Sequence, residues 1–229
     1  MVIQATPVRV ALALLLATIT LPCMAQTDSD MRYLHAYLGW SSPNDAWSVA
    51  ADNSTTGTAD IEKLYRADVI GQFTRSTGPL EFGYETGGGL AFTGDRHAFW
   101  LKQENGELSG KVRIESQFWL VNLYLGAFAS YRFGHGVRAF AAAGPYLGIA
   151  SANLQREQLS TAENNQSDTS TKQALDLSPY ARVGLIYTFQ GDATVGLTAQ
   201  WTDNQWDFDE YGEIKINQLQ WLLTLGRTY

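Results

Sequence analysis

The sequence predicts an all-β fold, an eight-stranded antiparallel up-and-down transmembrane β-barrel, and three observations predict it. Apolar side chains recur at every second position in segments of about ten residues, the length of a barrel strand. Long polar connections alternate with very short ones, so loops grow on one face only. Aromatic residues sit at the two ends of these segments, with Ala, Val, Leu and Gly between them, as two membrane–water interfaces require.

Residues 1–25 are expected to form a cleaved secretory signal peptide, and residues 26–229 the barrel. Arg9 is the only charge before Asp28. An apolar run over residues 10–21 follows, Pro22 breaks it, and Ala25 supplies the small residue a signal peptidase needs before Gln26. The run is short for a membrane helix, which takes about 20 predominantly apolar residues. Cys23 raises the alternative of an acylated lipoprotein, but Pro22 and Thr20 fit that motif poorly. Cleavage removes the only cysteine, so the mature chain has neither a disulfide nor a thiol nucleophile. Lys+Arg then falls from 16 to 15 against 23 Asp+Glu, a formal −8. An acidic chain without a basic cluster is a poor nucleic-acid binder, because phosphate contacts need Lys and Arg. The address this predicts is the bacterial outer membrane.

The first strand is expected at residues 32–41, with Leu34, Ala36, Leu38 and Trp40 opposite Tyr33, His35 and Tyr37. A polar stretch, 42–60, leads to the second, 61–74, where Tyr65, Ala67, Val69 and Phe73 oppose Arg66, Asp68 and Gln72. Residues 75–79 hold Gly78-Pro79 and reverse the chain. The third strand, 80–93, sets Leu80, Phe82, Tyr84, Leu90 and Phe92 against Glu81, Glu85 and Ala91. After a polar stretch, 94–111, the fourth strand alternates most cleanly. Trp119, Val121, Leu123, Leu125, Tyr131 and Phe133 share one face; Asn122, Tyr124, Phe128, Ser130 and Arg132 share the other. Gly134-His135-Gly136 turns into the fifth strand, 137–149, with Arg138, Phe140 and Tyr146 on its mixed face. Residues 151–173 read as a third long loop. The sixth strand, 178–189, carries Val183, Leu185, Tyr187 and Phe189 opposite Tyr180 and Arg182. Gln190-Gly191-Asp192 turns, and the seventh strand, 193–201, ends at Trp201. The acidic stretch 202–213 reads as the fourth loop before the last strand, where Leu219, Trp221, Leu223, Leu225 and Tyr229 face outward.

An even strand count puts both termini on the periplasmic side, with the short turns. The extracellular aromatic belt is then Trp40, Tyr65, Phe92, Trp119, Trp201 and Trp221; the periplasmic belt is Phe73, Phe82, Tyr131, Phe133, Tyr187, Phe189 and Tyr229. A soluble lipocalin-like barrel is the rival fold, but it would bury the apolar face and both aromatic rims inside. Facing inward instead, Arg66, Asp68, Glu81, Glu85, Arg132, Arg138 and Arg182 form a lumen charge network. Glu81, Arg132 and Arg138 cluster at the short-turn end, with the other four higher. An eight-stranded lumen is just wide enough for side chains to fill, so a static structural network is preferred over a gated ion path.

At these residues the chain resembles the small eight-stranded outer-membrane barrels of the OmpA transmembrane domain, OmpX and OmpW type. The resemblance is carried by the hairpin from Val121-Asn122-Leu123-Tyr124 through Tyr131-Arg132-Phe133-Gly134, by Gly144-Pro145-Tyr146-Leu147-Gly148, and by the closing strand that ends in Tyr229. It covers essentially residues 31–229. It implies a terminal aromatic read by the barrel-insertion machinery, with Tyr229 here in place of the commoner Phe and Arg227 interrupting the alternation. No peptidoglycan-binding domain is expected after the closing strand. Such a resemblance specifies a barrel, not an activity.

Other features read blandly. Gly87-Gly88-Gly89 lacks the Lys-Ser/Thr and helix of a phosphate loop, and is expected to make room for Tyr and Phe inside the barrel or to relieve curvature. Asp203, Asp207, Asp209, Glu210 and Glu213 lack calcium-loop spacing and read as a solvated acidic loop. The histidines, His35, His97 and His135, form no pattern with a nucleophilic serine, so no catalytic residue, cofactor or metal is assigned. The expected role is therefore non-enzymatic: envelope integrity and surface interaction through four extracellular loops, with Phe99, Trp100, Trp206 and Phe208 as contact anchors. A narrow channel for small or amphipathic solutes and a lipid A- or phospholipid-modifying enzyme are the alternatives. The expected partners are outer-membrane lipid, lipopolysaccharide, the insertion machinery and an extracellular ligand, and not nucleic acid.

Overall fold

The computed structural model describes residues 30–42, 47–51, 55–59, 63–93, 97–102, 108–114, 118–157, 168–208 and 213–229. The expected signal peptide lies outside them. Twelve strands run through the described residues: β1 (Met31–Ser41), β2 (Trp47–Ala51), β3 (Thr55–Ala59), β4 (Leu64–Thr74), β5 (Leu80–Thr93), β6 (His97–Lys102), β7 (Leu108–Ile114), β8 (Phe118–Gly134), β9 (Val137–Glu157), β10 (Asp168–Thr188), β11 (Ala193–Asp207) and β12 (Glu213–Thr228).

Eight of them, β1, β4, β5, β8, β9, β10, β11 and β12, pair antiparallel in that order, and β1 pairs β12 to close the cylinder. These are the eight strands that the alternation predicts. Closure leaves no sheet edge, which a lipid environment demands because nothing there can hydrogen-bond a bare strand. The stagger can be followed once around through register partners: Tyr131 to Ala139, Leu185, Leu197, Leu223, Leu38, Ala67, Leu90 and finally Val121. The path returns to β8 ten residues from where it left, a shear that goes with strands tilted by roughly 35–45° to the barrel axis.

The outer surface is apolar. Leu125, Val183, Leu185, Leu197, Leu223 and Leu225 are exposed across its middle. At one end Trp40, Tyr65, Phe92 and Trp221 are exposed; at the other Phe82, Tyr131, Phe133, Tyr187, Phe189 and Tyr229 are. Trp119 and Trp201 are half-buried at the upper end, where Trp201 Nε1 donates to Asn217 Oδ1 at 3.0 Å. Phe73 differs from expectation. It lies on the outer face yet is buried, because its ring stacks on Tyr84 at 4.9 Å and Met31 covers it from β1. An exposed apolar shell with a polar interior inverts the soluble barrel and fits a membrane-spanning one.

The lower turns are tight. His135 and Gly136 both have positive φ (51° and 80°), as the two central residues of a type I′ hairpin must.

The upper half departs from the expected pattern. β9 and β10 are 21 residues each, about twice what crossing the bilayer takes. Most of the stretch read as a third loop, 151–173, is therefore strand, and so are Thr202–Asp207 of the fourth. Ser, Thr, Asn and Gln in that stretch look like a loop by composition, but a strand outside the membrane needs no apolar outer face. The first two long connections each contain a hairpin. β2 pairs β3 and adds to β12 through Ser48 and Trp47; β7 pairs β6 and adds to β9 through Lys111, Val112 and Arg113. Above the register pair Tyr180–Thr202, β10 and β11 part. The sheet divides there into one wing of β6, β7, β9 and β10 and another of β11, β12, β2 and β3, with β3 beside β6.

Candidate functional site, the barrel lumen

The inward side chains fall in layers. At the short-turn end the Glu81 carboxylate, fully buried, accepts from Tyr33 Oη at 2.6 Å and Ser130 Oγ at 2.9 Å. Arg132 Nε approaches it to 3.3 Å and Arg32 Nε to 3.9 Å, as ion pairs without hydrogen-bond alignment. Arg138 donates from Nη2 to Gln72 Oε1 at 2.8 Å and from Nη1 to Ser130 Oγ at 3.4 Å, and its guanidinium lies 3.6 Å from the centroid of the Tyr33 ring.

In the middle layer Glu85, on β5, joins β4 and β10. Its Oε2 accepts from Gln72 Nε2 at 2.8 Å; its Oε1 accepts from Tyr180 Oη at 2.8 Å and Arg182 Nη1 at 3.3 Å. Arg182 also donates to Gln200 Oε1 at 3.1 Å and packs over the Tyr37 ring at 4.5 Å. Beside it His35 is buried between Tyr33 and Tyr37, each ring centroid 6.0 Å away.

Above this Arg66 Nε donates to Asp68 Oδ2 at 2.7 Å, and Arg66 Nη1 to Gln220 Oε1 at 2.7 Å. Tyr124 Oη and Asn122 Nδ2 also donate to Asp68, and Tyr146 Oη donates to Asn122. In these two layers the buried ions, Arg182 with Glu85 and Arg66 with Asp68, are tolerated because they are both paired and hydrogen-bonded. Glycines on β5 let these groups approach. A Cβ on Gly89 would stand 1.9 Å from Asp68 Oδ1, and one on Gly87 would stand 2.2 Å from Val69 O. Gly87 and Gly89 therefore make room for β4 rather than for the Tyr and Phe rings, one of the two expectations.

An apolar cap fills the mouth at the long-loop end. Leu64, Phe118, Leu120, Trp206, Phe208, Ile214 and Ile216 are all buried and belong to one cluster. Asp176 on β10 links the two wings beside it, accepting from Asn204 Nδ2 at 3.1 Å and from the backbone N–H of Gln205 at 3.3 Å. Trp206 Nε1 donates to Gly148 O at 3.2 Å. Trp206 and Phe208 are thus interior residues rather than surface anchors. Alternation continues up β11 past Trp201, so even-numbered positions still face inward. The side chains of Phe99 and Trp100 lie outside the described residues.

Of the seven charges named from sequence, six are buried in this lumen. Arg132 is part-exposed at its rim, where Nη2 donates to Thr77 O at 3.0 Å and Gly78 O at 2.7 Å. The partners differ from expectation in two ways. Arg138 is held by Gln72, Ser130 and the Tyr33 ring, with no carboxylate of the described residues within 4 Å, and Glu81 gains Arg32. Arg32 escaped notice because it sits on the outward-facing parity of β1, where a bulge between Met31 and Tyr33 shifts the register. Among the neutral members of the network, Gln72, Asn122, Tyr124, Tyr146 and Tyr180 carried a usable signal, since each shares a strand face with a charge; Tyr33, Gln200 and Gln220 lie on faces without one. Of the acidic fourth stretch, Asp209 and Glu210 lie outside the described residues. Among the described residues no group of three or more acids, His or Cys is placed to hold a metal.

No protein-family model matches the chain, and no curated protein does. Among solved structures it is similar to Ail, the attachment invasion locus protein of Yersinia pestis, at 10% identity and TM-score 0.41, over 87% of this chain and 100% of that one. It is similar to Ail in complex with the heparin analogue sucrose octasulfate at 14% and 0.39, over 87% and 100%. For Ail in a phospholipid bilayer nanodisc the values are 12% and 0.35, over 86% and 99%. The closed register, the apolar exterior and the filled polar lumen make this chain, by fold, a small eight-stranded outer-membrane β-barrel.

Proposed function

We propose that this is a non-enzymatic outer-membrane barrel that supports envelope integrity and presents a folded extracellular tier to external partners. One observation carries the reading: the lumen is blocked twice, by a hydrogen-bonded charge network within the bilayer and by an apolar cap above it. A route for ions would have to break both. What remains accessible outside is the surface of the two wings, built by β9 to β12 well beyond the length the membrane requires. On this reading residues 1–25 direct export, the insertion machinery reads the closing strand, lipid and lipopolysaccharide pack against the apolar band, and a ligand meets the tier.

Conductance tests it. The refolded protein in a planar bilayer is expected to be inserted and electrically silent. Discrete openings that change when Glu81 or Arg138 is replaced would move the assignment to a narrow channel. The enzyme alternative predicts a changed lipid A profile between cells with and without the protein; an unchanged profile is expected.

A further inference from the structure

Charge is unevenly balanced along the lumen. In the upper layers each guanidinium meets a carboxylate, Arg182 with Glu85 and Arg66 with Asp68. At the periplasmic end Arg32 and Arg132 both approach Glu81 through Nε, Arg132 also donating from Nη2 to Thr77 O at 3.0 Å and Gly78 O at 2.7 Å. Arg138 beside them has, among the described residues, neutral acceptors only. Three guanidiniums thus stand around one carboxylate. Arg132 and Arg138 are also direct cross-strand partners on β8 and β9, the position at which like charges destabilise a sheet. An anion between or beside them would relieve that repulsion.

The space for one is present. A cavity of about 530 Å³ opens at this mouth, within the size range of small-ligand sites. Arg132 and Arg138 both line it, Tyr33, Pro79 and Val137 give it apolar walls, and no carboxylate borders it. Arg138 is buried, so its charge is poorly screened by water. A guanidinium fork matches the oxygens of a phosphate in geometry as well as charge. The cavity sits at the level of Tyr131, Phe133 and Tyr187, the periplasmic aromatic belt, where lipid headgroups lie.

We propose that the periplasmic mouth of the barrel is a phosphate-binding vestibule, with Arg132 and Arg138 as its recognition groups. The phosphate has two sources, a soluble phosphate or the headgroup of an inner-leaflet phospholipid. The test uses the barrel refolded in non-ionic micelles, at constant ionic strength set with chloride. Inorganic phosphate and a short-chain phosphatidylglycerol are titrated separately by calorimetry. Two variants accompany the wild type: Arg132→Gln, which removes a partly exposed charge, and Thr188→Trp, which fills the cavity and keeps every charge. Circular dichroism confirms that each is folded. Saturable binding weakened at least tenfold in both variants is expected. Binding of both ligands would assign a soluble phosphate, and binding of the lipid alone would assign the headgroup. No saturable binding of either, or binding unchanged in both variants, overturns the proposal.

Discussion

Replacing Glu85 by Ala is expected to destabilise the barrel by about 3–5 kcal/mol, the usual cost of breaking a buried ion pair from one side. The carboxylate is fully buried and collects three donors from two other strands, Gln72 on β4 and Tyr180 and Arg182 on β10, with Arg182 tied in turn to Gln200 on β11. Removing it leaves the Arg182 guanidinium buried with a glutamine and aromatic faces for company. Arg182→Met should cost a comparable amount, since Glu85 then keeps only neutral donors. The double variant should cost clearly less than the two singles together, because the uncompensated charge is gone. The measurement is the urea midpoint of the refolded barrel in micelles, followed by tryptophan fluorescence. Singles that shift stability by less than about 1 kcal/mol, or strict additivity, would mean that water reaches this layer and screens it.

The membrane half of this molecule was legible because lipid imposes a rule on every residue. Each outward position must be apolar, so alternation reports orientation directly, and β5 was delimited at both ends from sequence alone. The lumen charges were legible for the same reason: any charge inside the alternating pattern has to face inward. Their partners were not, since pairing depends on the ten-residue stagger, which brings Tyr33 to Glu81 and Tyr180 to Glu85 across 48 and 95 residues of chain. Above the membrane the rule lapses. Leu175 and Leu177 on β10 are exposed and Ser, Thr and Gln surround them, so alternation fades while the strand continues. Trp206 and Phe208 were misplaced by the same loss of signal, because their neighbours Asp203, Asp207 and Asp209 resemble a loop. The hairpins β2–β3 and β6–β7 are five to seven residues per strand and pair mainly with each other, too short for periodicity to register.

Trp206→Ala should cost about 3–5 kcal/mol, the range for large aromatic truncations in a packed core, and the loss should be local. Trp206 is fully buried, packs edge-on against Phe118 at 6.3 Å, and spends its indole N–H on Gly148 O. It therefore ties β11 to both β8 and β9, just where β10 and β11 have separated and where Asp176 and Ser178 also link the wings. The strands below are fixed by closure of the barrel and do not depend on this contact. Hydrogen exchange is expected to quicken for amides of residues 202–207 and 213–218 and to stay slow for 219–226, which lie in the closed cylinder. Trp40→Ala, which removes a ring exposed to lipid, should leave both sets unchanged. Uniformly faster exchange throughout β12 would mean that tier and barrel unfold as one unit. Unchanged exchange in the upper strands would mean that the apolar cap contributes nothing, and the second of the two blocks on the lumen would fall with it.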